Sequence, residues 1–292
     1  MRARLLGMVL ALAVSWPGLL RAERFVFAAY NLENYFAAEP GDDPAPLPRK
    51  SKASISALVR ILTELNADAV GLSEMGSAKD LEHLRKQLQD RGLTYPHREF
   101  VKAAEGDRNL ALLSRVPFVA QPVTDLMYEM DGTRQRVRRG FLDVTVETAQ
   151  GVKIRLVGAH LKSRLTRNST NEALARRNEA TLLRRHVDQI LAGDPRTRLL
   201  VWGDLNDVRN SPAVGEILGG KRNRLVDLIP ADQYGDLWTW HSKSTDTYQR
   251  IDYLLVNGAL KKYVIRERTF VDRSPDWRKA SDHRAVVAAF EF

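Results

Sequence analysis

Short apolar runs that end in a single polar or charged residue recur through this chain, and they constrain its fold more than any other feature. Ala69-Val70-Gly71-Leu72 runs into Ser73-Glu74, Leu156-Val157-Gly158 leads to His160, and Leu199-Leu200-Val201-Trp202 leads to Asp204 and Asn206. Arg24–Tyr30 is followed by Asn31 and Glu33, Asp252 sits inside the run Arg250–Val256, and Asp282-His283 precedes Arg284–Phe292. Apolar runs of about four to eight residues bounded by turn formers read as strands. Ends of neighbouring strands converge in space, and the loops there carry function.

Other segments fill the gaps. Ala53–Leu65 has apolar residues at helical spacing, Lys79–Asp90 reads as a second helix, and Asn171–Leu191 as a long basic one. Leu110–Ser114 is a further strand. Gly140–Thr148 and Val152–Gly158 form a hairpin about Ala149-Gln150-Gly151, with clear alternation from Phe141 to Val146. Glu39–Lys52, rich in Pro, Asp and Gly, reads as a loop. Strands outnumber helices and arrive both as hairpins and as helix-linked units. That mixture predicts an α/β fold of mixed sheets with helices outside, rather than a parallel doubly wound sheet. No linker divides residues 23–292, so one domain is expected there.

Residues 1–22 stand outside the pattern. Arg2 and Arg4 precede the apolar run Leu5–Ser15, Pro17 and Gly18 break it, and Ala22 is a small residue at a plausible cut. That order is a secretory signal peptide, too short and interrupted for a membrane span. It predicts a secreted or periplasmic protein with no stable membrane insertion after cleavage. Cysteine is absent from the sequence. Zinc–thiolate sites, iron–sulfur clusters and cysteine nucleophiles are thereby excluded. The formal charge is +9, of which the leader's Arg2, Arg4 and Arg21 account for three, leaving +6. A basic surface favours polyanions such as nucleic acid, anionic headgroups or phosphorylated small molecules.

The polar residues at the strand ends form a chemical kit. Asn31, Glu74 and Asp282 offer oxygen ligands of the kind that hard cations such as Mg2+ or Mn2+ take. His160 and His283 suit acid–base work or the holding of a phosphoryl oxygen, and Asp252 is a candidate to fix the tautomer of His283. Asp204 can position or deprotonate a water, and the Asn206 amide can donate to a charged non-bridging oxygen. Metal, base and donors together serve in-line attack of water on phosphorus.

In their order these segments resemble the endonuclease/exonuclease/phosphatase superfamily, with its deoxyribonuclease I-like fold. The matching pieces are Tyr30-Asn31-Leu32-Glu33-Asn34, Gly71-Leu72-Ser73-Glu74, Leu112-Leu113-Ser114-Arg115, Gly158-Ala159-His160-Leu161-Lys162-Ser163, Trp202-Gly203-Asp204-Leu205-Asn206, Arg250-Ile251-Asp252-Tyr253 and Ser281-Asp282-His283. The resemblance implies a four-layer α/β sandwich of two mixed sheets packed face to face. It also implies roles. Glu74 is the principal metal ligand, with Asn31 and Asp282 near the same ion and Glu33 as an additional ligand. His283, backed by Asp252, activates water or contacts the scissile phosphate. His160 lies on the leaving-group or phosphate side, and Asp204 with Asn206 forms an acid–amide pair. Ser73 departs from the glutamine many members carry before the metal-binding Glu, which implies tuning rather than loss.

Basic residues flank these segments. Arg108, Arg139 and Lys162 are candidates to bind the substrate, and Arg115, Arg138 and Arg164 share their setting. The helix bearing Arg176, Arg177, Arg184 and Arg185 is read as a solvated basic face. Trp240 and Trp277 either stack on bases at the mouth of the site or belong to the core, where Trp240 is assigned. The expected protein is a monomeric, divalent-metal-dependent phosphoesterase acting on phosphodiester bonds, foremost a nuclease with nucleic acid as its partner. The alternative is a phosphatase or phosphodiesterase on phospholipid headgroups or phosphorylated small molecules. A non-catalytic phosphate-polymer binding protein would be expected to have lost Glu74, His160, Asp204 or His283, and all four are present.

Overall fold

The computed structural model of the protein describes residues 22–37, 48–104, 107–121, 123, 126–164 and 169–292. The expected leader, apart from Ala22, and most of the Glu39–Lys52 loop lie outside the described residues.

The chain opens with β1 (Arg24–Tyr35), α1 (Lys52–Leu65), β2 (Ala69–Met75), α2 (Ala78–Gln89), β3 (His97–Val101), β4 (Asn109–Ser114) and β5 (Phe118–Ala120). A small hairpin of β6 (Met127–Met130) and β7 (Thr133–Arg136) leads to β8 (Phe141–Glu147), β9 (Lys153–His160) and α3 (Ser169–Gly193). Next come β10 (Leu199–Asp204), α4 (Pro212–Leu218), β11 (Val226–Asp227) and a second hairpin of β12 (Trp240–Ser242) and β13 (Thr247–Gln249). The last elements are β14 (Asp252–Val256), α5 (Gly258–Lys261), β15 (Val264–Val271), α6 (Trp277–Ala280) and β16 (Val286–Glu291).

Two six-stranded mixed sheets result, ordered β15-β16-β1-β2-β4-β3 and β11-β14-β10-β9-β8-β5. Alternation along each central strand sends one set of side chains between the sheets. Phe25, Phe27, Leu110, Leu112, Ala288 and Phe290 of the first sheet pack there against Leu142, Val144, Leu156, Leu200, Trp202 and Leu254 of the second. The opposite faces are covered by helices. Ile55, Leu58, Ile61 and Leu62 of α1 and Leu81, Leu84 and Leu88 of α2 pack on the first sheet, and Leu183, Val187 and Leu191 of α3 with Val214 and Ile217 of α4 on the second. This is the expected four-layer α/β sandwich. Each fully buried Leu, Ile or Phe contributes about 1.5–3 kcal/mol.

Trp202 accounts for two glycines. Its indole lies against Gly71 of the first sheet and Gly158 of the second, and a Cβ at either would overlap the ring. The glycines in Gly71-Leu72-Ser73-Glu74 and Gly158-Ala159-His160 are therefore packing requirements of the strands that deliver Glu74 and His160.

The expected helices and strands recur with ends shifted by a few residues, whereas β3, β5, β6, β7, β11, β12, β13, β15, α4, α5 and α6 were not expected, and β15 intervenes between the two strands read as the last pair. β1 continues past Tyr30 to Tyr35, because β2 runs parallel beside it and pairs Asn31 with Ser73 and Tyr35 with Met75. Asn31 and Glu33 thus lie within a strand rather than beyond it.

Candidate active site

Register brings the polar residues together. His160, the last residue of β9, lies opposite Asp204, the last of β10, and Asp204 lies opposite Asp252, the first of β14. Directly opposed residues on adjacent strands have Cβ atoms about 4.5–5.5 Å apart, so three polar side chains form a row at one rim of the second sheet. Across the rim, Asn31 of β1 sits beside Ser73 of β2, with Glu74 next in chain.

Glu74 is re-aimed by local backbone geometry. Its φ is +60°, and the pairing of β2 with both neighbours shifts register around it. Glu33, Asn34 and Asn206 are also left-handed, at φ 48°, 57° and 52°. Non-glycine residues in this region are uncommon, and bulges that redirect a side chain gather at functional sites. The Glu74 carboxylate accepts from Asn34 N at 3.0 Å and lies 3.5 Å from Arg108 Nε, which donates to Asn34 Oδ1 at 2.7 Å.

Ser281-Asp282-His283 is stitched to β1 by its serine. Ser281 Oγ donates to Asn31 O at 2.8 Å and accepts from His283 N at 3.0 Å. His283 Nδ1 pairs with Asp252 Oδ2 at 2.8 Å, which turns Nε2 toward Asp204 Oδ2 at 3.8 Å. That same Asp204 oxygen accepts from Asn31 Nδ2 at 3.0 Å and lies 3.5 Å from His160 Nε2. Asp204 Oδ1 accepts from Asn206 N at 2.8 Å. His160 Nε2 is also 3.9 Å from Glu74 Oε1. Asp204 is therefore the hub that joins both sheets and both histidines.

The charges divide by environment. Burial pushes Asp204 up to about 7, with Asp252 and Glu74 adding to the rise and His283 and Asn206 N opposing it. Burial and the nearby Arg139 cation hold His160 well below the usual histidine range. Burial also works against the cation of His283, but Asp252 outweighs it and holds the ring well above that range. Two buried histidines thus sit on opposite sides of neutrality.

Glu33, Glu74, Asp204, Asn206, Asp282 and His283 line one cavity of about 640 Å³, and Asn31, His160 and Asp252 contact the lining residues Asp204 and His283. Asp282 Oδ2 accepts from the Trp240 indole Nε1 at 3.0 Å, while its enclosed Oδ1 has no hydrogen-bond partner among the described residues and lies 4.0 Å from His283 Nε2. Asn31 Oδ1 accepts from Glu33 N and keeps a second lone pair. An orphaned carboxylate oxygen beside further oxygen donors suits a hard divalent cation. Asp204, Asp252 and His283 also bring one ligand atom each within 4.8 Å of one another.

The remaining candidates differ in how they are held. Arg139 and Lys162 line the cavity but are buried rather than free to reach out: Arg139 Nη1 donates to Leu161 O at 2.7 Å, and Lys162 Nζ pairs with Glu172 at 3.2 Å. Half-exposed Arg108 and Arg164 and exposed Arg138 ring the mouth. Arg115 sits at the far end of β2, beside Asp68, because Ser114 pairs with Ala69. The Asn206 amide donates to Leu161 O at 3.0 Å, so one of its two N–H groups is committed to backbone. Trp240 is half-buried on the cavity wall, not in the core, whereas Trp277 packs behind the hairpin on Trp238 and His241. Glu33 is 3.2 Å from Lys243 Nζ, and Lys50 Nζ donates to its carbonyl. Arg176 and Arg184 of α3 are buried, whereas Arg177 and Arg185 are exposed. The sequence did not declare Trp240, Asn34 and Ser281 as partners of site residues, although Asn34 and Ser281 lie inside the Tyr30–Asn34 and Ser281–His283 segments and Trp240 is a candidate for the mouth of the site.

A profile of the Endonuclease/Exonuclease/phosphatase family matches residues 28–283. Among solved structures, a truncated TDP2 from Caenorhabditis elegans is 17% identical with a TM-score of 0.62, covering 91% of this chain and 97% of its own. Sphingomyelinase C from Streptomyces griseocarneus is 17% identical at TM-score 0.62, covering 92% and 99%. A beta toxin from Staphylococcus aureus is 16% identical at 0.63, covering 90% and 99%. A comparison with curated protein sequences found no match.

Proposed function

We propose, since this chain belongs to the endonuclease/exonuclease/phosphatase family and is a metal-dependent hydrolase of phosphoesters, that it is an exported nuclease cutting phosphodiester bonds with magnesium or manganese. One observation carries the choice of nucleic acid: the cavity that holds the polar row is ringed by Arg108, Arg138 and Arg164. Guanidinium groups beside a scissile phosphate grip its neighbours along a polyanion. The basic and apolar character of residues 1–22 supports export.

Glu74, Asp282 and Asn31 would hold the ion, which when bound polarises a phosphoryl oxygen and acidifies water. The alternative group of Asp204, Asp252 and His283 is a weaker home, because Asp252 and His283 already bond each other and the imidazole is a softer donor. Asp204, raised to about 7, takes the proton of the attacking water near neutral pH. His283, kept cationic by Asp252, donates from Nε2 to a non-bridging oxygen as charge develops there. Neutral His160 and the Asn206 backbone hold Asp204 in place.

A substrate panel tests the proposal: DNA, RNA, sphingomyelin, a phosphoinositide and a nucleotide, each with magnesium and with manganese. Turnover of DNA or RNA at least tenfold above the rest supports it. Turnover confined to a lipid or a small phosphomonoester overturns it.

A further inference from the structure

We propose that a buried charged stripe on α3, made of Glu172, Arg176 and Glu179, is a positioning device that holds the segments after β9 and β10 in register at the active site. It rests on the catalytic reading given above.

The three residues recur at i, i+4 and i+7 and so share one helix face. Their exposures are 8%, 4% and 1%. Enclosing charge is costly unless it is paired and hydrogen-bonded, and these three bond to the segments that follow β7, β9 and β10. Glu179 accepts from the backbone N of Lys162 at 2.7 Å and from that of Arg138 at 3.4 Å. Arg176 donates from Nη1 to Lys162 O at 3.2 Å and from Nε to Asp207 Oδ2 at 2.8 Å. Glu172 pairs with Lys162 Nζ at 3.2 Å. Lys162 is therefore held at its amide, its carbonyl and its ammonium by three residues of one helix.

The held segments are those that carry the chemistry. Lys162 lies two residues after His160, and Asp207 three after Asp204. Between them, Leu161 O accepts from both Arg139 Nη1 and Asn206 Nδ2. Further along α3, Ala180, Leu183 and Val187 are apolar and pack on the sheet in the ordinary way. The charged face is confined to the turns beside the site, where apolar packing would leave the Lys162 and Arg138 amides without acceptors. Glu172, Arg176 and Glu179 are positioning residues, since they act through Lys162, Asp207 and the strand ends.

The test compares Glu179→Ala, Glu179→Gln and Val187→Ala in the full chain, using a small chromogenic phosphodiester and histidine ring 15N spectra. Misplacing a catalytic group by about 1 Å costs on the order of 100-fold. The expected result is a kcat fall of about that size in Glu179→Ala with KM unchanged and the His160 ring signals moved. Glu179→Gln, which keeps an acceptor oxygen, should recover most of the rate. Val187→Ala should lower Tm but leave kcat and the His160 signals alone. If Glu179→Ala does not fold, Arg176→Gln carries the same expectation. Unchanged kcat and unchanged His160 signals in the folded variant overturn the proposal, as does an equal kcat loss in Val187→Ala. The ring spectra need no turnover, so a wild-type protein inactive on every phosphodiester defeats the catalytic reading separately.

Discussion

The indole Nε1 of Trp240 donates to Asp282 Oδ2 at 3.0 Å, and the other oxygen of that carboxylate is enclosed, has no hydrogen bond among the described residues and lies 4.0 Å from His283 Nε2. One hydrogen bond thus decides which way Asp282 points. Outer partners that orient a metal ligand are worth about 10–100-fold in affinity when removed. Trp240→Phe keeps the ring but loses the donor, so Mn2+ affinity measured by calorimetry should fall by about that factor with an unchanged circular dichroism spectrum.

His283 depends on Asp252 for its charge. In Asp252→Asn the ring loses the anion that raises it most, while burial still works against the cation, so its pKa falls. The imidazolium of the wild type therefore persists to higher pH than that of the variant. The alkaline limb of the kcat profile should shift to lower pH in the variant. His283→Ala should lose about 10²–10³-fold in kcat, the size of one transition-state donor.

Asp232 contributes to acid stability. Burial works against its ionisation, but hydrogen bonds from Tyr234 N, Arg284, Asp236 N and Arg273 outweigh it and hold its pKa at about 2. The unfolded value is ~3.9. A folded pKa below the unfolded one contributes stability in full above ~4, and that stability is lost as pH falls toward 2. Asp232→Asn should flatten this acid limb in urea titrations. At neutral pH it should cost about 3–5 kcal/mol, because the buried Arg284 guanidinium loses its counter-ion.

Gly158→Ala tests the Trp202 packing. The added methyl meets the indole directly, and overpacking of this kind costs about 1–3 kcal/mol. Thermal unfolding should show a lower Tm, with kcat reduced as well because β9 carries His160.

The sandwich was legible because its strands are apolar and end at polar residues, so Val70 to Glu74 and Leu200 to Asp204 declare both the strand and its functional end. Asn31, Glu74, His160, Asp204, Asp252 and His283 were legible as a set from their order, although Asn31 lies inside β1 and Asp252 begins β14. The direction of Glu74 was not, because it depends on a left-handed residue and on register shifts with two other strands. Trp240 was hidden, since an aromatic residue in a short strand looks the same whether it faces the core or Asp282. Arg176 was misread as solvated because its counter-ion, Asp207, arrives from a separate strand end.

The most direct test of the account is phosphodiester hydrolysis by Glu74→Gln as a function of magnesium concentration, beside the wild type. If Glu74 holds the ion, the variant should require at least tenfold more magnesium and stay far slower at saturation, and chelation should silence both proteins. Equal magnesium dependence and equal rate in the two would contradict it.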